Sequence, residues 1–515
     1  MNTSDLGLNL SNDGPLDIAP LDPAKLAEMA NRFFTDLPVT DSAPPVDLRP
    51  PSPIGVPHES SFVPAFPFSS GLPHFPEFAP YQAMPLGGLP GGIQVPGLDH
   101  ATALPSPAGA LDVHLIRRDF PILAERVNGR PLVWFDNAAT TQKPRHVIER
   151  LKTFYERENS NIHRAAHALA ARATDAYEGA REKVRTFLNA RSANEVVFVR
   201  GATEAINLVA QSWGRQNIGR DDEIIVSWLE HHANIVPWQQ LANEKGARLR
   251  VIPVDDDGQI LLEEYAKLLG PKTKLVSFAQ VSNALGTVTP AQVITAMAHA
   301  VGARVLVDGA QSVSHMRTDV QALNSDWFVF SGHKIFGPTG IGVVQGREEL
   351  LNETQPWQGG GNMISDVTFE RTQYQSAPAR FEAGTGNIAD AVGLGAALDY
   401  VTKIGIDAIS AYEHQLLEYA TRLLKEIPGL RQIGTAQEKA SVLSFVLQGY
   451  RTEDVGAALN KEGIAVRSGH HCAQPILRRF GVETTVRPSL AFYNTCEEVD
   501  RMISVLIKLS DRRAH

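Results

Sequence analysis

Two residue types able to act as nucleophiles stand in surroundings that would activate them. Lys334 follows the aromatic run DWFVFSG and precedes the glycine-rich stretch GPTGIG. A lysine enclosed by apolar residues and glycine is desolvated, loses pKa and becomes a nucleophilic amine. Schiff-base formation with an aldehyde cofactor needs such an amine. A lone lysine also fits a solvated surface position, so its neighbours matter. Asp308 ends the apolar run RVLVD, with Gln311 one turn beyond. A carboxylate there is costly unless it meets a cation, although by itself a helix cap is the simpler reading. In FVRGATEAINLVAQ the N–H groups of Gly201, Ala202 and Thr203 open a helix, a ready place for a phosphate, and the Walker spacing is absent. Cys472 is one of only two cysteines, the other being Cys496. Two are too few for a disulfide framework, and neither they nor the GHHC segment has zinc-ligand spacing, so no metal is expected.

These residues need a frame. EVVFV, EIIVSW, RLRVIPV, KLVSFAQV, RVLVDGA and DWFVFSG read as buried strands, beginning at Glu195, Glu223, Arg248, Lys274, Arg304 and Asp326. Amphipathic stretches such as ARATDAYEGAREKVRTFLNA intervene. Alternating units predict an α/β fold with a mostly parallel sheet and ligands at the carboxyl ends of its strands. The large domain with its leading segment is expected over 111–400, and a smaller α+β domain over 401–515.

The ordered set ATE, EHHANI, SNALGT, VDGAQ, SGHK, GPTGIG, FEAGTGN and AVRSGHHCA resembles the class II (SUF-type) cysteine desulfurases and selenocysteine lyases. These are fold-type I pyridoxal-phosphate enzymes of the class-V aminotransferase family, and the resemblance runs from about Leu111 onward. It implies that Lys334 holds the cofactor, Asp308 pairs with the ring nitrogen, Gln311 bonds the ring oxygen and His231 stacks on the ring. Thr203, the Ala202 N–H, Ser331 and His333 would hold the phosphate, and Thr385 would reach the phosphate of the other subunit of a homodimer. Many relatives have Thr or Ser where Ala202 stands, so only a backbone contact is implied there. Arg487 would clamp the carboxylate of L-cysteine, Asn283 would touch both ring oxygen and substrate, and Arg467 and His163 would line the pocket. Cys472 would take the sulfur as a persulfide, with Arg467, His470 and His471 as neighbours favouring its thiolate. Its short loop implies a recessed persulfide that needs a small thiol or a docked acceptor protein. Cys496 reads as structural.

The 515 residues are 43% hydrophobic, enough for a sizeable core, with a formal net charge of −9. That charge argues against a nucleic-acid partner. No apolar run reaches the roughly 18 residues of a membrane span, no secretory signal is evident, and a reducing, cytoplasmic setting is expected. About half of the 33 prolines fall in the first fifth of the chain. A disordered arm is therefore expected over 1–110, broken by one short amphipathic helix near 23–37. The arm carries scattered aromatics unusual for an inert tether. With its helix AKLAEMANRFFTDL and small anchors such as SPIGVP, it resembles the cargo-loading segments of desulfurases packaged in family 2 encapsulin shells, where several weak anchors would bind by avidity. The alternative is an inert tether on an enzyme that feeds iron–sulfur assembly.

Overall fold

The computed structural model describes residues 111–163 and 167–514. The arm over 1–110, with its expected helix at 23–37, lies outside them. All described residues belong to one compact unit, Leu98–His515.

Apolar β-branched and aromatic runs, mostly buried, build a seven-stranded sheet. Its strands are β1 (Val196–Val199), β2 (Glu223–Ser227), β3 (Arg248–Ile252), β4 (Thr273–Ala279), β5 (Arg304–Asp308), β6 (Trp327–Ser331) and β7 (Gly342–Gly346). Their spatial order is β1-β7-β6-β5-β4-β2-β3. Neighbours run parallel except at β7, which is antiparallel to both β1 and β6. The first six strands are the segments read from the sequence, but β3 is not buried as expected: it lies at the sheet edge, and only Ile252 in it is buried. β7 is not among them, because GVVQG has glycine at both ends and glycine depresses strand propensity.

Side chains alternate between two cores, as period-2 geometry requires. Val196, Phe198, Val305 and Phe328 face one side, while Val197, Leu306, Val329 and Val344 face the other. Helices α1 (Arg145–Arg157), α2 (Ala168–Leu188) and α4 (Ile388–Ile404) pack together, and α3 (Ala202–Val209) follows directly from the turn after β1. The buried residues Ala173, Tyr177, Ala180, Val184 and Leu188 form one stripe along α2, at the helical spacing its sequence shows.

A second, four-stranded antiparallel sheet holds β8 (Leu430–Ile433), β9 (Ser444–Leu447), β10 (Arg467–Gly469) and β11 (Thr485–Arg487) in the order β8-β9-β11-β10. It packs with α5 (Ile406–Lys425) and α6 (Cys496–Ala514) around Leu416, Phe445, Val486 and Met502. Helix α4 runs across residue 400. Val133 and Phe135 also belong to this second core, and their N–H groups donate to the carbonyls of Gly463 and Ala465, each at 2.9 Å. The segment Val133–Phe135 is thus built into this second core, whereas Phe120 and Leu123 before it belong to the large one.

Candidate active site

The carboxyl ends of the parallel strands gather the polar residues. Lys334 sits in the turn Gly332–Lys334 that follows β6, and Asp308 is the last residue of the adjacent β5. From below, the carbonyl of His333 accepts the Thr141 N–H (3.0 Å), both the Thr140 and Thr141 hydroxyls (3.1 Å each) and Lys143 Nζ (3.1 Å). Burial lowers the Lys334 amine from 10.5 to about 8, against the opposing pull of Asp308. Burial raises the Asp308 carboxyl, opposed by the Ala310 N–H at 2.9 Å and by Lys334. The ambiguous lysine is therefore an amine poised to lose its proton.

Beside it, Ser331 Oγ accepts the Ala202 N–H at 2.9 Å, joining the turn before α3 to the end of β6. Thr203 is exposed at the first turn of α3. Burial holds His333 down to about 4 and His231 down to about 3, so both are neutral. His231 Nδ1 accepts the Ala233 N–H at 3.0 Å, which leaves the proton on Nε2. Gln311 Nε2 donates to the Ala138 carbonyl at 2.7 Å.

Opposite, Arg487 is 2% exposed at the end of β11, and its guanidinium donates to the Asn283 carbonyl at 2.9 Å. Asn283 Nδ2 donates to the His471 carbonyl at 2.7 Å, while its Oδ1 is buried without a partner. Arg487 Nε and His471 Nδ1 are likewise buried and unpartnered. Arg467 is half-exposed and donates to Asp136 Oδ2 at 3.0 and 3.2 Å. Burial holds His471 at about 2, so it is neutral and adds no cation beside Cys472. His471 therefore does not favour the Cys472 thiolate by charge, which corrects the expectation for that neighbour.

Cys472 is exposed in this chain and not recessed as expected, because it sits at the tip of its loop; it and His471 both have left-handed backbone, with φ of 52° and 53°. Non-glycine residues adopt that conformation at a cost, and only where their surroundings enforce it. Here the His232 N–H donates to the Cys472 carbonyl at 2.8 Å, and the Cys472 N–H donates to His470 Nδ1 at 3.1 Å. Cys496 begins α6, where burial raises its thiol to about 11, keeping it protonated.

One cavity of about 380 Å³ is lined by Ala202, Thr203, His231, Asn283, Asp308, Gln311, Ser331, His333, Lys334, Arg467, Cys472 and Arg487. His163 and Thr385 do not line it. His163 Nε2 pairs with Glu178 at 2.8 Å, and Thr385 lines a separate cavity with Tyr177 and Trp357. Asp136, which joins the two arginines, and the Thr140–Lys143 segment under the lysine turn were not legible as site residues. The only signal was their polar run DNAATTQK after an apolar one. Among the described residues, no group of three or more His, Cys, Asp or Glu is placed to hold a metal ion, and no helix is long and apolar enough to cross a membrane. Pyridoxal phosphate fits this donor set. An amine of depressed pKa answers its aldehyde and a buried carboxyl its ring nitrogen, while the unpartnered Asn283 Oδ1 and Arg487 Nε await polar groups.

The aminotransferase class-V family model matches residues 133–502. A cysteine desulfurase of Synechococcus elongatus is 72% identical over 404 residues, covering 78% of this chain and 64% of that protein. The chain thus spans less than two thirds of that relative's length. A cysteine desulfurase of Salmonella agona is 51% identical over 398 residues, 77% of this chain and 98% of that protein. Among solved structures, the cysteine desulfurase CsdA of Escherichia coli, in an S-sulfonic acid form, superposes with a TM-score of 0.73 at 38% identity, covering 78% of this chain and 99% of that one.

Proposed function

The chain belongs to the aminotransferase class-V family, and from that premise we propose that it is a pyridoxal-phosphate-dependent cysteine desulfurase, forming L-alanine and a persulfide on Cys472. The observation that carries the reading is the single cavity in which Lys334, Asp308, Arg487 and Cys472 meet.

Bound pyridoxal phosphate supplies an electron sink for negative charge at the substrate α-carbon. Lys334 would hold the cofactor, and its Nζ would accept the substrate's α-proton. Asp308 would pair with the ring nitrogen, His231 would lie against the ring, and Gln311 and Asn283 would bond the ring oxygen. The Ala202 N–H, Thr203, Ser331 and His333 would hold the phosphate. Arg487 orients the substrate by its carboxylate through paired guanidinium bonds. Cys472 Sγ attacks the substrate sulfur. The new S–S bond forms as the substrate C–S bond breaks, its electron pair passes to Cβ, and proton return gives alanine.

Thr385 lies outside its own chain's cavity, which favours a homodimer whose subunits share sites. The short, pinned Cys472 loop favours an acceptor that comes to the thiol, either a small thiol or a docked protein. The arm over 1–110 is the segment for loading into an encapsulin shell, with the sulfur mobilised or stored there. The test is alanine release from L-cysteine. Wild type should release alanine and show the visible absorbance of a lysine-bound cofactor. Lys334→Ala should lose both, and Cys472→Ser should lose release while keeping the colour. Release undiminished in Cys472→Ser would sink the reading.

A further inference from the structure

Cys472 stands third in the turn His470–Ala473. The Ala473 N–H donates to the His470 carbonyl at 2.9 Å, and the two residues between them have φ of 53° and 52°. Those are the marks of a type I′ turn, whose central positions suit glycine, asparagine and aspartate. Histidine and cysteine keep such a backbone only where contacts enforce it. His471 is held from two sides, its carbonyl by Asn283 Nδ2 at 2.7 Å and its Nε2 against the Thr485 hydroxyl at 2.9 Å. Cys472 is held by two other histidines. Its carbonyl accepts the His232 N–H at 2.8 Å, and its N–H donates to His470 Nδ1 at 3.1 Å. The His232 and His470 rings stack, with centroids 5.9 Å apart and planes at 25°. Cys472 lines the cavity, whereas His470 stands behind it and does not.

We infer that His470 is a positioning residue for the sulfur-accepting step: its Nδ1 locks Cys472 into the left-handed turn and so keeps the thiol at the cavity. The inference rests on the reading of Cys472 as the sulfur acceptor. Without that hydrogen bond, the Cys472 backbone is free to relax towards the right-handed and extended regions that L residues prefer. Such a rotation at the α-carbon swings Sγ away from the substrate sulfur. The cofactor-binding residues stand on the parallel strands and keep their places. An Nδ1 that accepts carries no proton, so the role needs no charge on the ring. Asparagine can fill it, because its side-chain oxygen accepts from the N–H two residues on.

The test uses the holoenzyme and reads the single-turnover rate at which L-cysteine yields alanine. L-Alanine, which has no sulfur for Cys472 to meet, serves as the binding probe, read from the cofactor's visible spectrum. In His470→Ala the rate should fall by roughly tenfold to a hundredfold, the scale of a misplaced reacting group, while the L-alanine dissociation constant stays within about twofold of wild type. His470→Asn, which restores the acceptor, should keep the rate within about threefold of wild type. His470→Phe, which keeps a ring to stack on His232 but has no acceptor, should be as slow as His470→Ala. An undiminished rate in His470→Ala overturns the inference, and so does a fall matched by an equal loss of L-alanine affinity. If His470→Asn is as slow as His470→Ala, the ring acts through charge and the inference fails. If His470→Phe is as fast as wild type, the ring acts through stacking and it fails again. Should His470→Ala not fold, the other two variants decide, and equal rates in them overturn the inference. Wild type that releases no alanine from L-cysteine refutes the desulfurase reading instead.

Discussion

Lys334 shows how burial alone turns a common residue into a reagent. Its amine is lowered from 10.5 to about 8, so the neutral, nucleophilic form dominates above about pH 8 rather than above 10.5. Below that point the amine holds its proton, and each unit of acidity removes roughly nine tenths of the reactive form. Capture of pyridoxal phosphate by the apoprotein should therefore accelerate with pH through a midpoint near 8, measured by rapid mixing. A midpoint near 10 would show that the site does not desolvate the amine. Lys334 and Asp308 stood out because one closely follows and the other ends an apolar run, but only the resemblance to a family gave them roles. Asp136 did not stand out, because it follows the two-residue strand Val133–Trp134 and its arginine partners lie more than 300 residues away in sequence. The neutrality of His471 was equally hidden, since it depends on burial that GHHC does not announce.

At the scale of elements, strand β7 explains how the turn before α3 and the lysine turn come together. Gly342 is the register partner of both Val199 on β1 and Ser331 on β6, so those strand ends stand two strand spacings apart, about 10 Å. The turn crosses over Gly342 and closes that gap to one 2.9 Å hydrogen bond between Ala202 and Ser331. A Cβ on Gly342 would lie 2.5 Å from the Gly201 Cα and 2.6 Å from the Phe330 carbonyl, so backbone would have to move. Gly342→Ala should weaken cofactor retention by roughly tenfold or more, the scale of an overpacked site. Equilibrium dialysis reads this, and a dissociation constant within twofold of wild type would sink it. Six of the seven strands could be read from apolar runs. The seventh, which makes this crossing possible, was masked by the glycines that permit it.

At the scale of the whole molecule, the arm carries a prediction of its own. Co-expressed with an encapsulin shell protein, the full chain should co-purify with the shell, whereas a chain lacking residues 1–110 should not. The truncated enzyme should still release alanine within about twofold of wild type, since a shell-loading segment makes no part of the reaction. Equal packaging of both chains would remove the loading role. The folded region has a further consequence in the stretch Val133–Lys143. Its first residues are pinned in the C-terminal core, Asp136 holds the two arginines, and Thr140 to Lys143 brace the carbonyl of His333. One short length of chain thus serves as a common tendon for the two lobes. Melting of either lobe must slacken it, so heat should bleach the bound chromophore and unfold both lobes in one calorimetric transition. Colour lost well before the heat-absorption peak would mean that the tendon does not carry the strain between them.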